Sequence, residues 1–359
     1  MKKPLAYKGR GSVSNAVGRF EKLDREAIDD GWGGLDAELE PLATEVLVDS
    51  SRSVITYNDS PDIPFDRSIN PYRGCEHGCI YCYARPSHTY LGYSAGLDFE
   101  SRILAKPNAV ELLRKELGKP SYHCAPIALG VNTDAYQPLE RSHRITRQIL
   151  EVLAESRHPV TLVTKSALVE RDIDLLAPMA EQGLAKVYLS ITTLDRKLAR
   201  TMEPRAAAPQ RRLETLEKLN RAGIPTGVNA APLIPALNDH ELEAILEAAH
   251  AAGARSAGYV LLRLPHEVAG LFEEWLRHHY PLKADHVLSL VQQSRDGKSY
   301  DATFHQRMTG SGAYADLIAQ RFRLAIRRLG LNRKGSSLRT DLFLKPDLRN
   351  NGRQMSFDF

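Results

Sequence analysis

The stretch of sequence that decides the fold reads Asn70-Pro-Tyr-Arg-Gly-Cys75-Glu-His-Gly-Cys79-Ile-Tyr-Cys82-Tyr-Ala-Arg85. It has the cysteine spacing C-x3-C-x2-C and contains three of the four cysteines of a 359-residue chain. So few cysteines, gathered within one short loop, are a poor basis for a disulfide framework and are typical of a metal site. Gly74 and Gly78 let such a loop turn tightly around a bound group.

Three thiolates on one loop can hold three irons of a cubane cluster. The fourth iron then lacks a protein ligand and stays open to a substrate molecule. The main alternative is a structural zinc site with His77 or His88 as fourth ligand. His77 sits between Cys75 and Cys79, whose C-x3-C spacing differs from the usual C-x2-C pair, and no second cysteine pair follows.

Short β-rich runs alternate with helical periodicity from about residue 68 onward. The predicted helices are Ala109 to Leu117, Ile145 to Glu155, Arg171 to Glu181, Pro209 to Arg221, Glu241 to Ala252 and Val268 to Arg277. Near-continuous apolar strands between amphipathic helices predict an α/β fold, a partial (β/α)6 barrel of the TIM type, with a doubly wound open sheet as the alternative. In either fold, functional groups lie at the carboxyl ends of the strands. Residues at such positions are Cys75, Thr133, Lys165, Thr192, Asn229 and Arg263.

The chain divides into four parts by composition. Residues 1–50 read as a partly irregular N-terminal arm, 51–265 as the β/α barrel, 266–345 as a helical C-terminal extension and 346–359 as a flexible tail. No apolar run approaches the roughly 18 residues needed to span a bilayer, and no signal-type apolar stretch follows the basic N-terminus. We therefore expect a cytoplasmic protein without a membrane contact.

The pattern C-x3-C-x-aromatic-C after the first strand of a six-fold β/α repeat resembles the radical S-adenosylmethionine (SAM) superfamily. The loop CEHGCIYCYARPSHTY, with ALGVNTDAYQP and VTKS downstream, is similar to bacterial proteins grouped near spore photoproduct lyase. The resemblance covers about residues 50 to 330 and implies a radical SAM barrel. It also implies a [4Fe-4S] cluster on Cys75, Cys79 and Cys82.

By the same resemblance, SAM bound at the open iron is cleaved reductively to methionine and a 5′-deoxyadenosyl radical, with flavodoxin or ferredoxin as the electron donor. Tyr81 matches the aromatic position beside the adenine, Lys165 the partner of the SAM carboxylate, and Thr133 an acceptor for its amino group. A packing ring and a surface lysine are the plain alternatives for the first two. Ser190, Thr192 and Asn229 are either further contacts to ribose or methionine or ordinary strand and turn residues.

This sequence departs from that of spore photoproduct lyase at a position that takes part in the lyase reaction. Spore photoproduct lyase carries a hydrogen-donating cysteine beside its Ser-Asp step, whereas this chain has Val131 and Asn132 there. The lyase reaction on thymine dimers is therefore not expected, and Cys124, at the other end of that strand, reads as structural. The catalytic residues stay unassigned. Tyrosines near the loop that are candidate hydrogen donors are Tyr83, Tyr90, Tyr93 and Tyr136.

Two features after the barrel suggest partners. The ending Gln354 to Phe359 resembles the short peptides with which bacterial DNA-processing proteins bind the sliding clamp. The net charge is only +4, yet a basic run precedes that tail, either a solvated helix face or a phosphate-contacting surface. Its members are Arg321, Arg323, Arg327, Arg328, Arg333, Lys334 and Arg339.

Three functions fit these features. Damaged or modified nucleic acid is one substrate class, and a peptide, protein or small metabolite is another. The third reading is a non-catalytic iron-sulfur or zinc binding module. The segment MEPRAAAPQRRLE adds an ambiguous cluster, because Glu203, Arg205 and Arg212 form either an ion-pair network over the site or an exposed salt bridge at a helix start.

Overall fold

The apolar runs of the sequence form strands, most of them in one parallel sheet. A computed structural model describes residues 7–16, 18–20, 42–333 and 337–346 of the chain. The strands are β1 (Glu45–Val48), β2 (Ile55–Tyr57), β3 (Arg67–Ile69), β4 (Tyr72–Arg73), β5 (Arg102–Ala105), β6 (Ile127–Leu129), β7 (Val160–Thr164), β8 (Ala185–Ser190), β9 (Thr226–Leu233) and β10 (Ser256–Leu261).

The main sheet has the order β10-β9-β8-β7-β6-β3-β2, in which only the pairing of β2 with β3 is antiparallel. The six parallel strands follow one another in chain order, so each crossover proceeds in the same direction. A doubly wound sheet would reverse its strand order near the middle. The predicted mixed α/β fold with a parallel sheet is confirmed, and its singly wound order is that of a barrel segment.

The helices lie between these strands and after the last of them. They are α1 (Leu97–Ser101), α2 (Ala109–Leu117), α3 (Glu140–His143), α4 (Ile145–Glu155), α5 (Ile173–Glu181), α6 (Arg196–Met202), α7 (Pro209–Arg221), α8 (Leu242–Ala251), α9 (Glu267–His279), α10 (Ala284–Gln293) and α11 (Gly312–Leu329). The predicted bounds of α2, α4 and α7 are confirmed. The predicted helix from Arg171 begins instead with a 3-10 segment, Ala167–Asp172, whose N-terminus is capped by the Ser166 hydroxyl.

A loop after α10 connects the two edges of the main sheet. The Leu261 amide, in β10, donates to the Met308 carbonyl at 2.9 Å. Arg307 forms an ion pair with Asp62, which lies between β2 and β3 at the other edge. The gap in the partial barrel is therefore bridged by side chains rather than by a strand ladder.

A second, three-stranded sheet has the order β1-β5-β4, so β1 places the end of the N-terminal arm beside the cysteine loop that follows β4. Within the rest of the arm, Arg10 to Val13 are buried. The arm therefore packs on the barrel close to the cysteines.

The end of the C-terminal extension lies at the amino-terminal edge of the main sheet. Phe343 packs against His158, just before β7, with ring centroids 5.3 Å apart. In the basic run, Arg321 and Arg328 form ion pairs with Glu243 and Glu247 of α8. Part of the predicted basic surface is therefore neutralised, and Lys334 lies outside the described residues. No helix within the described ranges is long and apolar enough to cross a membrane.

Candidate functional site

The cysteine loop follows β4 and turns at two glycines that no other residue could replace. Gly74 has φ +81°, and a Cβ there would lie 2.9 Å from the Phe99 carbonyl oxygen. Gly78 has φ +66°, and a Cβ there would lie 2.6 Å from Glu100 Oε2. Positive φ and close backbone approach are the two conditions that favour glycine. The loop is thus shaped by its glycines, as the sequence predicted.

The three thiols of this loop lie close enough to affect one another electrostatically. Burial raises the pKa of Cys75 well above its usual value, and Asp134, Cys79 and Cys82 raise it further. Burial also raises the pKa of Cys79 to about 12, although the charge of Lys165 opposes the rise. Thiolates in such a site need a bound cation, so the donor set fits an iron-sulfur cluster. Among the described residues no group of three or more His, Cys, Asp and Glu side chains converges on a single metal ion, whereas the cysteines of a cubane each bind a different iron.

A buried ion pair fixes the back of the loop. Arg85 and Glu100 are both fully buried and pair with each other. The Arg85 guanidinium also donates to the carbonyls of Cys79, at 2.9 Å, and Gly78, at 3.1 Å. Glu100 accepts hydrogen bonds of 2.8 Å from the amide of Ser12 in the N-terminal arm. The backbone carrying two of the cysteines is therefore held by charge-assisted hydrogen bonds.

The carboxyl ends of β6 and β7 hold the front of the loop through Asp134 and Gln137. Asp134 accepts from the Thr164 hydroxyl and from the Lys165 amide, both at 2.7 Å, and its Oδ2 lies 3.3 Å from His77 Nδ1. Burial alone would raise its pKa, but the charge of His77 and these hydrogen bonds lower it to about 2. Gln137 accepts from the Glu76 amide at 2.8 Å and donates to the Gly74 carbonyl at 3.2 Å.

A second buried network lies at the end of β8. The Tyr81 hydroxyl donates to Glu203, and the Thr192 hydroxyl lies 2.7 Å from the same carboxylate. Glu203 pairs with Arg212, whose Nη1 donates to the Ser190 carbonyl at 2.9 Å. Burial would raise the pKa of Glu203, but the charges of Arg212 and Lys165 lower it to about 2. The carboxylate therefore stays ionised beside the cysteine loop.

Lys165 lies between the two networks. Its Nζ is 5.9 Å from the centroid of the Tyr81 ring. Burial would lower its pKa, but the charges of Cys79 and Glu203 raise it, so the ammonium stays protonated. Within the described part of the chain it has no carboxylate at ion-pair distance. The structure thus presents an unpaired cation next to the cysteine loop.

The remaining predicted site residues lie at the same edge of the sheet with different partners. The buried Thr133 hydroxyl donates to the Tyr72 carbonyl at 2.6 Å. Ser190 and Asn229 are neighbours in the register of β8 and β9. The Asn229 Oδ1 lies over Gly258 of β10, 3.0 Å from the point where a Cβ would stand. The structure therefore groups Tyr81, Lys165 and Thr192, whereas Thr133 has a backbone partner.

The candidate tyrosines separate by position. Tyr136 is fully buried, with its hydroxyl 3.0 Å from Asp172, and Tyr90 stacks against Phe20 on the surface. Tyr93 lies beneath Arg102. Tyr83 alone of the four directly follows a loop cysteine, and the Arg263 guanidinium lies 5.3 Å from the centroid of its ring.

Two observations weaken the zinc alternative. The His88 Nε2 lies 2.8 Å from the Arg102 carbonyl, and its ring packs edge-on against Phe99 at 5.3 Å. His77 pairs with Asp134 as described above. His88 thus has a partner at Nε2 but none at its buried Nδ1, and His77 Nδ1 lies near Asp134 without forming a hydrogen bond.

Sequence reasoning did not place Arg85, Glu100, Asp134 and Gln137 in the support of the loop. Their partners lie on other elements, so no local spacing reveals them. The sequence allows Glu203 and Arg212 to form either an ion pair over the site or an exposed salt bridge. In the structure they form a buried pair.

The fold, the cysteine loop and the polar strand ends together define an enzyme of the radical SAM class. A model of the radical SAM superfamily matches residues 69–249, about half of the chain, and the chain belongs to that superfamily. An uncharacterised protein of Mycobacterium tuberculosis is 36% identical over 239 residues, 66% of this chain and 70% of that protein. An uncharacterised protein of Methanocaldococcus jannaschii is 31% identical over 173 residues, 48% of this chain and 62% of that protein.

Solved structures of spore photoproduct lyase share the fold. One superimposes with a TM-score of 0.56 at 17% identity, covering 79% of this chain and 78% of that one. Another, complexed with dinucleoside spore photoproduct, has a TM-score of 0.52 at the same identity and coverage. The likeness confirms the predicted fold.

Proposed function

We propose that this protein binds a [4Fe-4S] cluster through Cys75, Cys79 and Cys82 and cleaves SAM reductively at it. The observation that carries the proposal is the unpaired ammonium of Lys165 beside a loop of three cysteines, two of which are buried. A metal-binding loop needs no such cation, but a bound amino acid carboxylate does. A SAM site therefore gives Lys165 an anionic partner, the SAM carboxylate, whereas a structural metal site does not.

The chain's own residues would position the cofactor. Lys165 pairs with the SAM carboxylate as a point charge. Tyr81, held by its hydrogen bond to Glu203, offers a fixed ring for the adenine. The polar side chains of Ser190 and Asn229 offer hydrogen bonds to ribose or methionine. Thr133 can accept from the SAM amino group, because its own hydrogen is donated to Tyr72.

When bound, the cluster supplies one electron from an external donor such as flavodoxin or ferredoxin, which breaks the sulfur to C5′ bond of SAM and releases methionine and a 5′-deoxyadenosyl radical. The protein contributes orientation and the exclusion of water. Tyr81, Thr192 and Glu203 form a buried wall behind Cys79. The Tyr81 hydroxyl keeps its proton, because burial raises its pKa well above the usual value.

For the substrate we propose damaged or modified nucleic acid. The fold is shared with a lyase solved with a dinucleoside product. Exposed Arg323 and Arg327 of α11 have no ion pair in the described ranges and leave that helix partly basic. Modification of a peptide, protein or metabolite is the second candidate, favoured by the neutralisation of Arg321 and Arg328. A non-catalytic iron-sulfur module is the third candidate function, and it does not account for the unpaired charge of Lys165.

Two further features remain proposals. The peptide Gln354 to Phe359, proposed to bind the sliding clamp, lies outside the described residues. We also propose that the protein works in the cytoplasm, where its free cysteines stay reduced.

The test is anaerobic reconstitution with iron and sulfide, reduction with dithionite and chromatographic assay for 5′-deoxyadenosine. Cys79→Ser removes a proposed ligand, whereas Cys124→Ser changes a half-buried cysteine outside the loop and serves as the matched control. We expect product from the wild type and the control but none from Cys79→Ser. Equal product from both variants would refute the assignment of Cys79.

A further inference from the structure

The loop after β10 carries an arginine that the fold leaves without an anionic partner. Arg263 Nη2 lies 3.4 Å from the Tyr300 hydroxyl, and Nη1 lies 3.3 Å from the Met308 sulfur. Its Nε is buried without a hydrogen-bond partner. No carboxylate of the described residues forms an ion pair with this guanidinium. The partners of this half-buried guanidinium are all neutral, so it is placed for a ligand that supplies a negative charge.

Two aromatic rings fix the guanidinium in place. Its central carbon lies 5.3 Å from the centroid of the Tyr83 ring and 5.9 Å from that of Tyr300. The Tyr83 hydroxyl donates to the Val131 carbonyl, which holds its ring in turn. A guanidinium stacked on aromatic faces keeps its planar fork of donors free for a bidentate oxyanion.

Tyr83 links the arginine to the cysteine loop. Tyr83 follows Cys82 directly, and the Arg263 guanidinium lies over its ring. Lys165 follows the end of β7, and Arg263 follows the end of β10. Lys165 is explained by the carboxylate of SAM, but Arg263 is not.

Tyr83, Phe304 and Arg307 form a surface beside Arg263 that we call the aromatic rim. On this surface an arginine again packs against an aromatic ring. The Arg307 guanidinium, which pairs with Asp62, lies 4.8 Å from the centroid of Phe304, whose side chain is half exposed. Tyr83 is likewise half exposed. Exposed aromatic faces interleaved with arginines are typical of surfaces that bind single-stranded nucleic acid, since bases stack on the rings while phosphates pair with the cations.

We propose that Arg263 binds a backbone phosphate of a single-stranded or unstacked nucleotide and thereby positions the substrate beside Tyr83. This role rests on the function proposed above and assigns a recognition residue to it. Carboxylate-bearing peptides and metabolites would not use the aromatic rim, because they lack a base to stack on it.

The test compares binding of a fluorescein-labelled thymidine oligonucleotide of ~10 nucleotides to the anaerobic reconstituted holoenzyme over a range of salt concentrations. The variants are Arg263→Gln, Arg263→Lys and Arg221→Gln. Arg221 is the matched control, because it ends α7 at the opposite edge of the sheet and is highly exposed. Iron content and the thermal unfolding midpoint of each variant show whether it is folded.

We expect Arg263→Gln to weaken binding by about tenfold or more and to reduce the salt slope by about one. Arg263→Lys should restore part of the affinity, and Arg221→Gln should stay within about twofold of the wild type. Unchanged affinity of a folded Arg263→Gln, an equal loss in Arg221→Gln, or no binding by the wild type would each overturn the role of Arg263. Formation of 5′-deoxyadenosine without oligonucleotide reports separately on the proposed radical chemistry.

Discussion

Glu203 and Arg212 form an ion pair in which each side chain is only 1% exposed. The pair joins the start of α7 to Tyr81 in the cysteine loop, through the hydrogen bond of the Tyr81 hydroxyl to Glu203. A buried pair is costly to break, because the remaining charge is left in a medium of low dielectric. This single contact therefore links the stability of the fold to the geometry of the site.

Glu203→Gln should lower the free energy of unfolding by about 3 to 5 kcal/mol, because it leaves Arg212 buried without its counter-ion. The matched control is Glu217→Gln, which breaks an exposed i,i+4 pair with Arg221 and should cost less than about 0.5 kcal/mol. Urea unfolding of both variants measures the difference. Similar losses in the two variants would show that the Glu203 pair is not buried as described.

Lys165→Gln should weaken SAM binding to the reconstituted protein by about 10- to 100-fold, as expected when a charged hydrogen bond is lost. Lys115→Gln, on the exposed face of α2, removes the same charge away from the site and should leave affinity unchanged. Equilibrium binding of SAM under anaerobic conditions is the measurement. Wild-type affinity in Lys165→Gln would assign the lysine to packing against Tyr81.

Gly78→Ala should reduce the iron bound per chain, because its Cβ would lie 2.6 Å from Glu100 Oε2 and force the cysteine loop to move. Gly92→Ala is a close control, since Gly92 also has a positive φ, +74°, but no atom within 4 Å of the added Cβ. Both variants should lose about 1 kcal/mol from backbone strain. Only Gly78→Ala should also lose iron after reconstitution, and normal iron content in it would contradict the described loop.

His158 should make the protein less stable as the pH falls from about 6.5 to about 4. Its burial lowers the pKa of the folded state to about 4, whereas the unfolded chain keeps a value near 6.5. In that window the unfolded state binds more protons, so up to about 3 kcal/mol of unfolding free energy is lost on acidification.

His158→Gln removes the titrating group and should flatten this part of the profile. Urea unfolding at several pH values compares it with His286→Gln, a variant of an exposed histidine. A profile of His158→Gln that stays as steep as that of the wild type would assign the acid sensitivity to other groups.

Much of the fold was predictable because it rests on local patterns. The amphipathic period of α2, α4 and α7 sets their bounds, and the apolar runs set the strands. The small sheet was not predicted, since β1 is mostly exposed and pairs with β5, far along the chain. Sequence spacing carries no signal for a pairing of that kind.

The site was predictable only where its residues follow a motif. The cysteine loop and Lys165 follow from the motif and the strand ends. By contrast, Arg85 pairs with Glu100 across 15 positions, and Glu203 reaches Tyr81 across 122. These partners become visible only when the strand ends meet at one edge of the sheet.

The most direct test of the central claim is the electron paramagnetic resonance spectrum of the dithionite-reduced, reconstituted protein before and after addition of SAM. With three cysteine ligands, one iron stays open, so SAM should bind to it and change the spectrum of the reduced cluster. The account predicts that change in the wild type and in Cys124→Ser. A well-formed cluster with a spectrum unaltered by saturating SAM would contradict it and favour a non-catalytic iron-sulfur module.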